Sequence, residues 1–234
     1  MSGSEFDQGY WISGQGRDSR AGVVMIPDVW GLSDHYRSLG EGLANEGFMV
    51  LVVDPYRKTG FQEITSPEEA LAWIDSIDDN LMLETLNEGI DFLHVKGCSR
   101  VGITGFCMGG QYALLAACSL GGLSACSPFY GMLRYANGLD RSKKLRSPLE
   151  AVEDLSCPLL GFYGDQDPII PVSDVLDLEQ RLSNIEQRSS IRRYAEAGHA
   201  FMNDTRPDMY SEEAAKDAWP RLIDFMKIEL QLKS

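Results

Sequence analysis

One doubly wound, mostly parallel α/β sheet with helices on both faces is the fold class this sequence predicts, and three observations carry the prediction. Several short apolar runs are near-continuous rather than alternating, as strands covered on both faces read. Segments with helical periodicity separate them, an alternation that right-handed crossovers wind into a single sheet. The chain has 234 residues, 44% of them hydrophobic and 24% charged, which suits one domain over residues 1–234 with a substantial core.

The strand candidates are residues 22–27 (GVVMIP), 48–54 (FMVLVVD), 101–105 (VGITG), 125–130 (ACSPFY), 159–163 (LLGFY) and 191–194 (IRRY). Residues 10–13 (YWIS) read as a weaker edge strand, and Met1 to Phe6 are given no weight. Helices are expected at 34–45 and 108–118. Ser66-Pro-Glu-Glu69 joins a capping box to a proline at the first helical position, and opens a helical region running toward Gly97. Ser173 is expected to cap a helix that places Val175, Leu178 and Leu182 on one face. The last helix carries Ala215, Trp219, Leu222, Met226 and Leu230 as its apolar stripe. Residues 131–150, with Arg134, Arg141, Lys143, Lys144 and Arg146, are irregular.

Composition excludes several functions. A net charge of −14, from 21 basic and 35 acidic residues, speaks against a nucleic-acid partner, because phosphate binding needs a basic face. No apolar run approaches a membrane span and no basic-then-apolar leader opens the chain, so no membrane association is expected. The five cysteines include no CxxC pair, and three histidines give no zinc-site spacing, so no metal and no cofactor are expected. An odd number of thiols fits a reducing, cytoplasmic setting. The partner expected is a small molecule, and the chain is expected to act as a monomer or homodimer.

The chemistry begins at Gly105-Phe-Cys107-Met-Gly109. A β-branched run enters this turn and a helix-forming run leaves it, the strand–turn–helix context of a G-x-nucleophile-x-G elbow. The following helix points its N-terminus at the sulfur, and its partial positive charge favours thiolate. The plainer reading is a glycine turn with an incidental cysteine. Among the possible bases, His94 lies late in a helix and reads as packed or solvated, while His35 reads most simply as a surface helix residue, with a place near the cleft as the alternative. His199, in Glu196-Ala-Gly-His-Ala-Phe201, follows the last strand, and Gly198 lets the loop turn its ring inward. An orienting carboxylate is expected after the preceding strand, in Gly164-Asp-Gln-Asp-Pro168. Both aspartates qualify. Asp167 is favoured because the proline after it biases it to extended geometry, leaving Asp165 as a turn residue that bonds its own backbone.

With these motifs in order, the chain resembles the dienelactone hydrolase family of α/β-hydrolases from about residue 20 onward. The resemblance rests on Pro27-Asp-Val-Trp-Gly31, Asp54-Pro-Tyr56, Gly105-Phe-Cys-Met-Gly-Gly110, Gly164-Asp-Gln-Asp-Pro-Ile-Ile-Pro171 and Ala197-Gly-His-Ala-Phe201. It implies a catalytic triad of Cys107, Asp167 and His199, with an oxyanion hole from the backbone N–H groups of Trp30 and Met108. It also implies a carboxylate beside the resting thiol, where this chain has Asp28 in place of the usual, longer Glu. The activity implied is hydrolysis of a carboxylic ester or lactone through an acyl-thioester. An acyltransferase on the same triad and a noncatalytic ligand-binding relative are the alternatives. Tyr130, Arg134, Phe201, Asn203 and Arg206 are the expected substrate contacts. The two arginines with which well-studied members hold a substrate carboxylate are not in place, since residues 62–95 contain neither Lys nor Arg and position 203 is Asn. Neutral or weakly anionic esters are therefore the expected substrates.

Overall fold

In chain order the strands are β1 (Ser4–Phe6), β2 (Gly9–Ile12), β3 (Ala21–Ile26), β4 (Met49–Val53), β5 (Arg100–Phe106), β6 (Leu123–Phe129), β7 (Leu159–Gly164) and β8 (Ser189–Tyr194). The computed structural model describes residues 4–6, 9–12, 20–61 and 63–232. The strands form one sheet in the order β1-β2-β4-β3-β5-β6-β7-β8. From β4 through β8 every pairing is parallel, while β2 runs antiparallel to β4 and β1 antiparallel to β2. The mostly parallel, doubly wound α/β class read from the sequence is the one observed. Residues 10–13 are not at the sheet edge, because β1 pairs beyond β2; Ser13 lies outside the described residues.

The helices are α1 (Asp34–Asn45), α2 (Pro67–Ser76), α3 (Asp79–Val95), α4 (Met108–Ser119), α5 (Pro148–Ala151), α6 (Val172–Leu182) and α7 (Glu212–Glu229). Strand side chains alternate between the two helical layers: Val50 and Val52 pack toward α1 at Gly40, and Leu51 toward α3 at Gly89. Both faces of β3 and β4 are therefore dry, which is why their sequences read as unbroken apolar runs. Two helix boundaries differ from the sequence reading. The region from Ser66 to Gly97 breaks at Ile77, and Asp78 caps the second helix by accepting the N–H of Asn80 at 2.9 Å. Ser173 lies inside α6 rather than at its cap, which is Pro171. In α7, Ala215, Leu222 and Met226 are buried as the periodicity predicts, and Leu230 is the buried residue after its last turn.

Phe106, Phe129 and Phe162 stand at or near the carboxyl ends of β5, β6 and β7, and their rings stack at 4.8 and 4.4 Å. This stack forms an apolar floor under the loops that follow, and aromatic pairs of this kind each add about 0.5–1.5 kcal/mol beyond area burial.

The irregular segment after β6 is pinned by a polar cluster that its sequence did not announce. Lys144 is 1% exposed, and its Nζ donates to Asp79 Oδ1 at 3.1 Å and to the Tyr112 hydroxyl at 2.9 Å. The hydroxyls of Tyr112 and Tyr135 each donate to the same carboxylate at 2.9 Å. Burial pulls the Lys144 pKa down while Asp79 pulls it back up. Removing one member of such a pair leaves an uncompensated buried charge, which costs far more than the intact pair is worth. Lys144→Met is expected to lose about 3–5 kcal/mol in urea unfolding. The double variant with Asp79→Asn should lose less than the sum of the two single changes. Additive losses would show that the two residues do not act as a pair.

Candidate active site

The elbow at the end of β5 is tight because two glycines let backbones meet. A Cβ at Gly109 would lie 2.2 Å from the Ile26 carbonyl oxygen, and one at Gly105 would lie 2.1 Å from the Gly109 oxygen. Cys107 between them has φ 55° and ψ −116°, a conformation that costs roughly 1–3 kcal/mol and persists only where its surroundings enforce it. Enforcement comes from both sides: the Cys107 N–H donates to the Phe129 carbonyl at 3.0 Å, and its own carbonyl accepts the Gln111 N–H at 3.0 Å. The sulfur is held at the mouth of α4, and Met108 is the first residue of that helix, where an N–H has no intrahelical acceptor.

His199 and Asp167 arrive from the loops after β8 and β7. His199 Nδ1 and Asp167 Oδ2 are 2.8 Å apart, and both side chains are buried. The other carboxylate oxygen, Oδ1, accepts the N–H groups of Ile169 and Ile170 at 2.8 and 3.1 Å, so Asp167 is fixed on both sides. Tyr130 stands edge-on to the imidazole, ring centroids 5.2 Å apart. The buried Nε2 has no hydrogen-bond partner of ordinary geometry among the described residues. Burial works against the charged imidazolium, but the facing Cys107 and the Asp167 carboxylate outweigh it and hold the His199 pKa up to about 10.

Asp165 is a turn residue as expected, but its carboxylate takes a two-pronged ion pair from Arg193 at 2.8 and 2.9 Å rather than bonding its own backbone, an interaction the sequence does not reveal. His94 is packed as read, its Nδ1 2.9 Å from the Cys98 carbonyl oxygen. His35 departs from its surface reading, for its side chain is only 7% exposed and Nδ1 lies 3.1 Å from Asp204 Oδ1.

Asp28 is buried in the turn after β3, and burial pushes its pKa up. Oδ1 accepts the Trp30 N–H at 2.9 Å, and the Tyr36 hydroxyl also hydrogen-bonds the carboxylate. The Val29–Trp30 peptide is thus engaged at both ends, since the Val29 carbonyl accepts the Tyr56 hydroxyl at 2.6 Å. The Trp30 N–H expected as an oxyanion donor is therefore already committed, whereas the Val29 N–H has no acceptor among the described residues.

The five expected substrate contacts divide sharply. Phe201 is fully buried against Tyr130 and Tyr194 and belongs to the core. Tyr130 is 1% exposed and serves as a wall behind His199. Asn203 folds its own loop, its Oδ1 accepting the Thr205 N–H at 3.1 Å and hydroxyl at 2.6 Å. Arg134 is drawn away by Asp174 and Asp177 on α6. Arg206 alone sits beside the turn that carries Asp28, its guanidinium 4.9 Å from the Trp30 ring centroid. Tyr36 belongs to none of the sequence motifs; its signal is its place on the buried stripe of α1 with Gly40, Leu43 and Ala44. Among the described residues no group of three or more His, Cys, Asp or Glu is placed to hold a metal ion, and no helix is long and apolar enough to cross a membrane.

A doubly wound sheet with a cysteine elbow, a His–Asp pair and a buried carboxylate at the strand ends defines a hydrolase of the α/β class. The profile of the dienelactone hydrolase family matches residues 8–230, and the chain belongs to that family. It is 30% identical over 213 residues to carboxymethylenebutenolidase of Rhodococcus opacus, covering 91% of this chain and 82% of the other. A Klebsiella pneumoniae crystal structure described as a "Putative Dienelactone Hydrolase" superposes with a TM-score of 0.84 at 29% identity, covering 93% of this chain and 91% of that one. A dienelactone hydrolase-like promiscuous phosphotriesterase from metagenomic libraries shares the fold at a TM-score of 0.75 and 19% identity, covering 92% and 88% of the two chains.

The other four thiols are chemically quiet. Cys98, Cys118, Cys126 and Cys157 are buried, and burial pushes Cys98 up to about 11, Cys118 and Cys157 up to about 12, and Cys126 well above its ordinary value. Iodoacetamide in limiting amount at pH 7 should therefore label Cys107 at least about 10²-fold faster than any of these in the native protein. Peptide mapping reads the order, and prior labelling of Cys98 or Cys157 would refute the assignment of Cys107 as the reactive thiol.

Proposed function

We propose that this protein hydrolyses carboxylic esters or lactones, with Cys107 as nucleophile, His199 as base and Asp167 as the carboxylate that orients the base. The observation that carries this reading is the buried Asp167–His199 pair, whose unpartnered Nε2 is matched by a cysteine held at positive φ on a helix N-terminus. A bonded Nδ1 leaves Nε2 to accept a proton, and that is the arrangement a general base requires.

The reaction follows from these placements. His199 Nε2 takes the thiol proton of Cys107, directly or with Asp28 sharing it, and the thiolate sulfur bonds to the carbonyl carbon. The oxygen that gains charge is received by the Met108 N–H and by a donor of the Val29–Trp30 turn; Val29 offers one as the turn stands, and Trp30 does so once Asp28 lets go. One such donor is typically worth about 3 kcal/mol in the transition state. Collapse breaks the ester C–O bond, the leaving alkoxide takes the proton from His199, and an acyl-thioester remains on Cys107. Water then gives its proton to Nε2 and its hydroxide to the acyl carbon, releasing the acid and restoring the thiol. No step calls for a cofactor. The free thiols of the described residues suit a reducing, cytoplasmic setting, and the reaction asks only for a small-molecule substrate.

Substrate charge follows from the fate of the arginines. With Arg134 neutralised by α6 and the family's two-arginine clamp not in place, Arg206 is the guanidinium that lies over Trp30, while Arg37, which also borders this turn, is paired with Asp34. Each charge-assisted hydrogen bond to a carboxylate contributes about 1.5–3 kcal/mol, so missing two lowers kcat/KM for a lactone-acid by roughly 10²- to 10⁴-fold. Neutral or weakly anionic esters and lactones are thus the expected substrates in a panel run against native protein and Cys107→Ala. Strong preference for the carboxylate-bearing lactone, abolished by Arg206→Ala, would reverse this and identify Arg206 as a replacement clamp.

The two aspartates separate the triad from its surroundings. Asp167→Asn should lower the single-turnover rate by about 10⁴-fold, the loss known for an orienting carboxylate in a serine triad. Asp165→Asn removes only a partly exposed ion pair with Arg193 and should leave that rate within a few-fold. A severe loss for Asp165→Asn with a mild one for Asp167→Asn contradicts the assignment.

A further inference from the structure

His35 and Asp204 repeat, a short way off, the pairing of His199 with Asp167. In both, Nδ1 meets a carboxylate oxygen, at 3.1 and 2.8 Å, and in both the buried Nε2 has no hydrogen-bond partner of ordinary geometry among the described residues, although that of His199 faces Cys107. Nothing in the proposed reaction uses the second pair. It joins two parts of the fold that the reaction needs in register. His35 belongs to the first turn of α1, one residue before Tyr36, whose hydroxyl bonds Asp28. Asp204 belongs to the loop that begins four residues after His199 and that also carries Arg206.

That loop is stiff. Asn203 accepts from Thr205 through its side chain and from the Arg206 N–H through its carbonyl at 3.1 Å, while the Arg206 carbonyl accepts the N–H groups of Met209 and Tyr210 at 2.9 Å. A turn folded this closely moves as a unit. Holding Asp204 therefore holds Arg206, whose guanidinium lies over Trp30 and acts on the Asp28 carboxylate together with His35.

We propose that His35, through Asp204, is a positioning residue: it clamps this loop to α1, keeps Arg206 over Trp30, and so keeps Asp28 in its ionised form beside the thiol. The proposal rests on Cys107 as the nucleophile. Asp28 needs such support, because burial disfavours its charge and only Trp30, Tyr36, Arg206 and His35 oppose that cost. The other titratable groups that face it are phenols and the thiol: Tyr36 on α1, Tyr56 after β4, Tyr130 after β6 and Cys107 itself. His35 in turn faces Asp204 and Asp28. It lines a cavity of about 630 Å³ between α1 and α7 that Asp34 and Lys216 also border, but these two are paired with Arg37 and Glu212.

The test uses the full chain and reads the thiol rather than turnover alone. The rate of Cys107 alkylation by iodoacetamide and kcat/KM for a neutral ester are measured from pH 4.5 to 9, beside the Tm, in His35→Ala, His35→Gln and Asp204→Asn. His35→Ala and Asp204→Asn should each move the acid limb of both profiles upward by about half a pH unit or more, a roughly threefold loss of rate at its foot. His35→Gln, whose amide still reaches Asp204, should recover most of the shift. In an Asp28→Asn background, neither His35→Ala nor Asp204→Asn should move the limb further. Asp204 is largely exposed, so its variant remains informative even where His35→Ala folds poorly. A lowered Tm with an unmoved limb would reduce the pair to a plain structural tether and overturn the proposal, as would an equal shift in the Asp28→Asn background. If those results come with an inactive Cys107→Ala, only this inference fails; an active Cys107→Ala removes the triad reading and this inference with it.

Discussion

The contact on which the site depends is between two backbones: the first turn of α4 lies against the end of β3 at Gly109, closer than any side chain would allow. Because β3 is the sheet neighbour of β5, that approach sets the turn after β3, with Asp28, beside the turn after β5, with Cys107. On the other side β6, β7 and β8 follow in order, and their loops bring Tyr130, Asp167 and His199 to the same edge. Residues scattered over more than 170 positions of chain meet because parallel strands present all their carboxyl ends to one side. A one-carbon side chain at Gly109 would push α4 off β3 and lift the sulfur out of that line.

The price of the arrangement is electrostatic. Two carboxylates, Asp28 and Asp167, are buried within one site, and the proposed reaction would add a third charge on the sulfur. In surroundings of low dielectric such charges repel strongly and each loses its hydration. The site handles them differently. Asp167 is stabilised by two backbone N–H donors and by the imidazole, so it remains an acceptor that fixes His199. Asp28 has one backbone donor, one phenol and the Arg206 guanidinium acting through space, His35 adding to these only when protonated, and its pKa stays raised. Two carboxylates with such unequal support suit different tasks, one orienting a base and the other exchanging a proton. Burial presses the His199 imidazole toward its neutral form, and the facing Cys107 together with the Asp167 carboxylate opposes it.

What could be read from the sequence was what local chemistry dictates. The parallel sheet followed from runs without alternation, and the elbow from glycines that only a tight strand–turn–helix junction needs. Asp167 was separable from Asp165 because the proline after it limits its backbone, and the pairing of Asp167 with His199 is the one the fold makes. Illegible were the contacts made by long side chains across the fold. Arg134 and Arg206 look alike as loop residues; only the position of α6 directs the first to Asp174 and Asp177 and leaves the second over Trp30. Lys144 looks like one of several exposed cations until Asp79, some 65 residues away, draws it into the interior. Phe201 was misplaced for a simpler reason, since neighbouring His199 in sequence says nothing of which way a ring turns. Trp30 and Val29 differ by one residue, and which N–H is open depends on where Asp28 sends its oxygen.

The charge of the whole chain bears less on substrate choice than these local facts. A net −14 would repel anions at long range, but at physiological ionic strength the Debye length is about 8 Å, and surface carboxylates beyond it are largely screened. Many are also neutralised by neighbours, as Asp217 is by Arg192 and Arg221. Inside the cleft screening fails, and there the balance is set by Asp28, Asp167, His199 and Arg206, with His35 beside them. A substrate carboxylate near Trp30 would gain Arg206 but would also draw that guanidinium away from Asp28, weakening the support that keeps Asp28 ionised. On the proposed mechanism, binding an anion and readying the thiol would therefore compete for one cation.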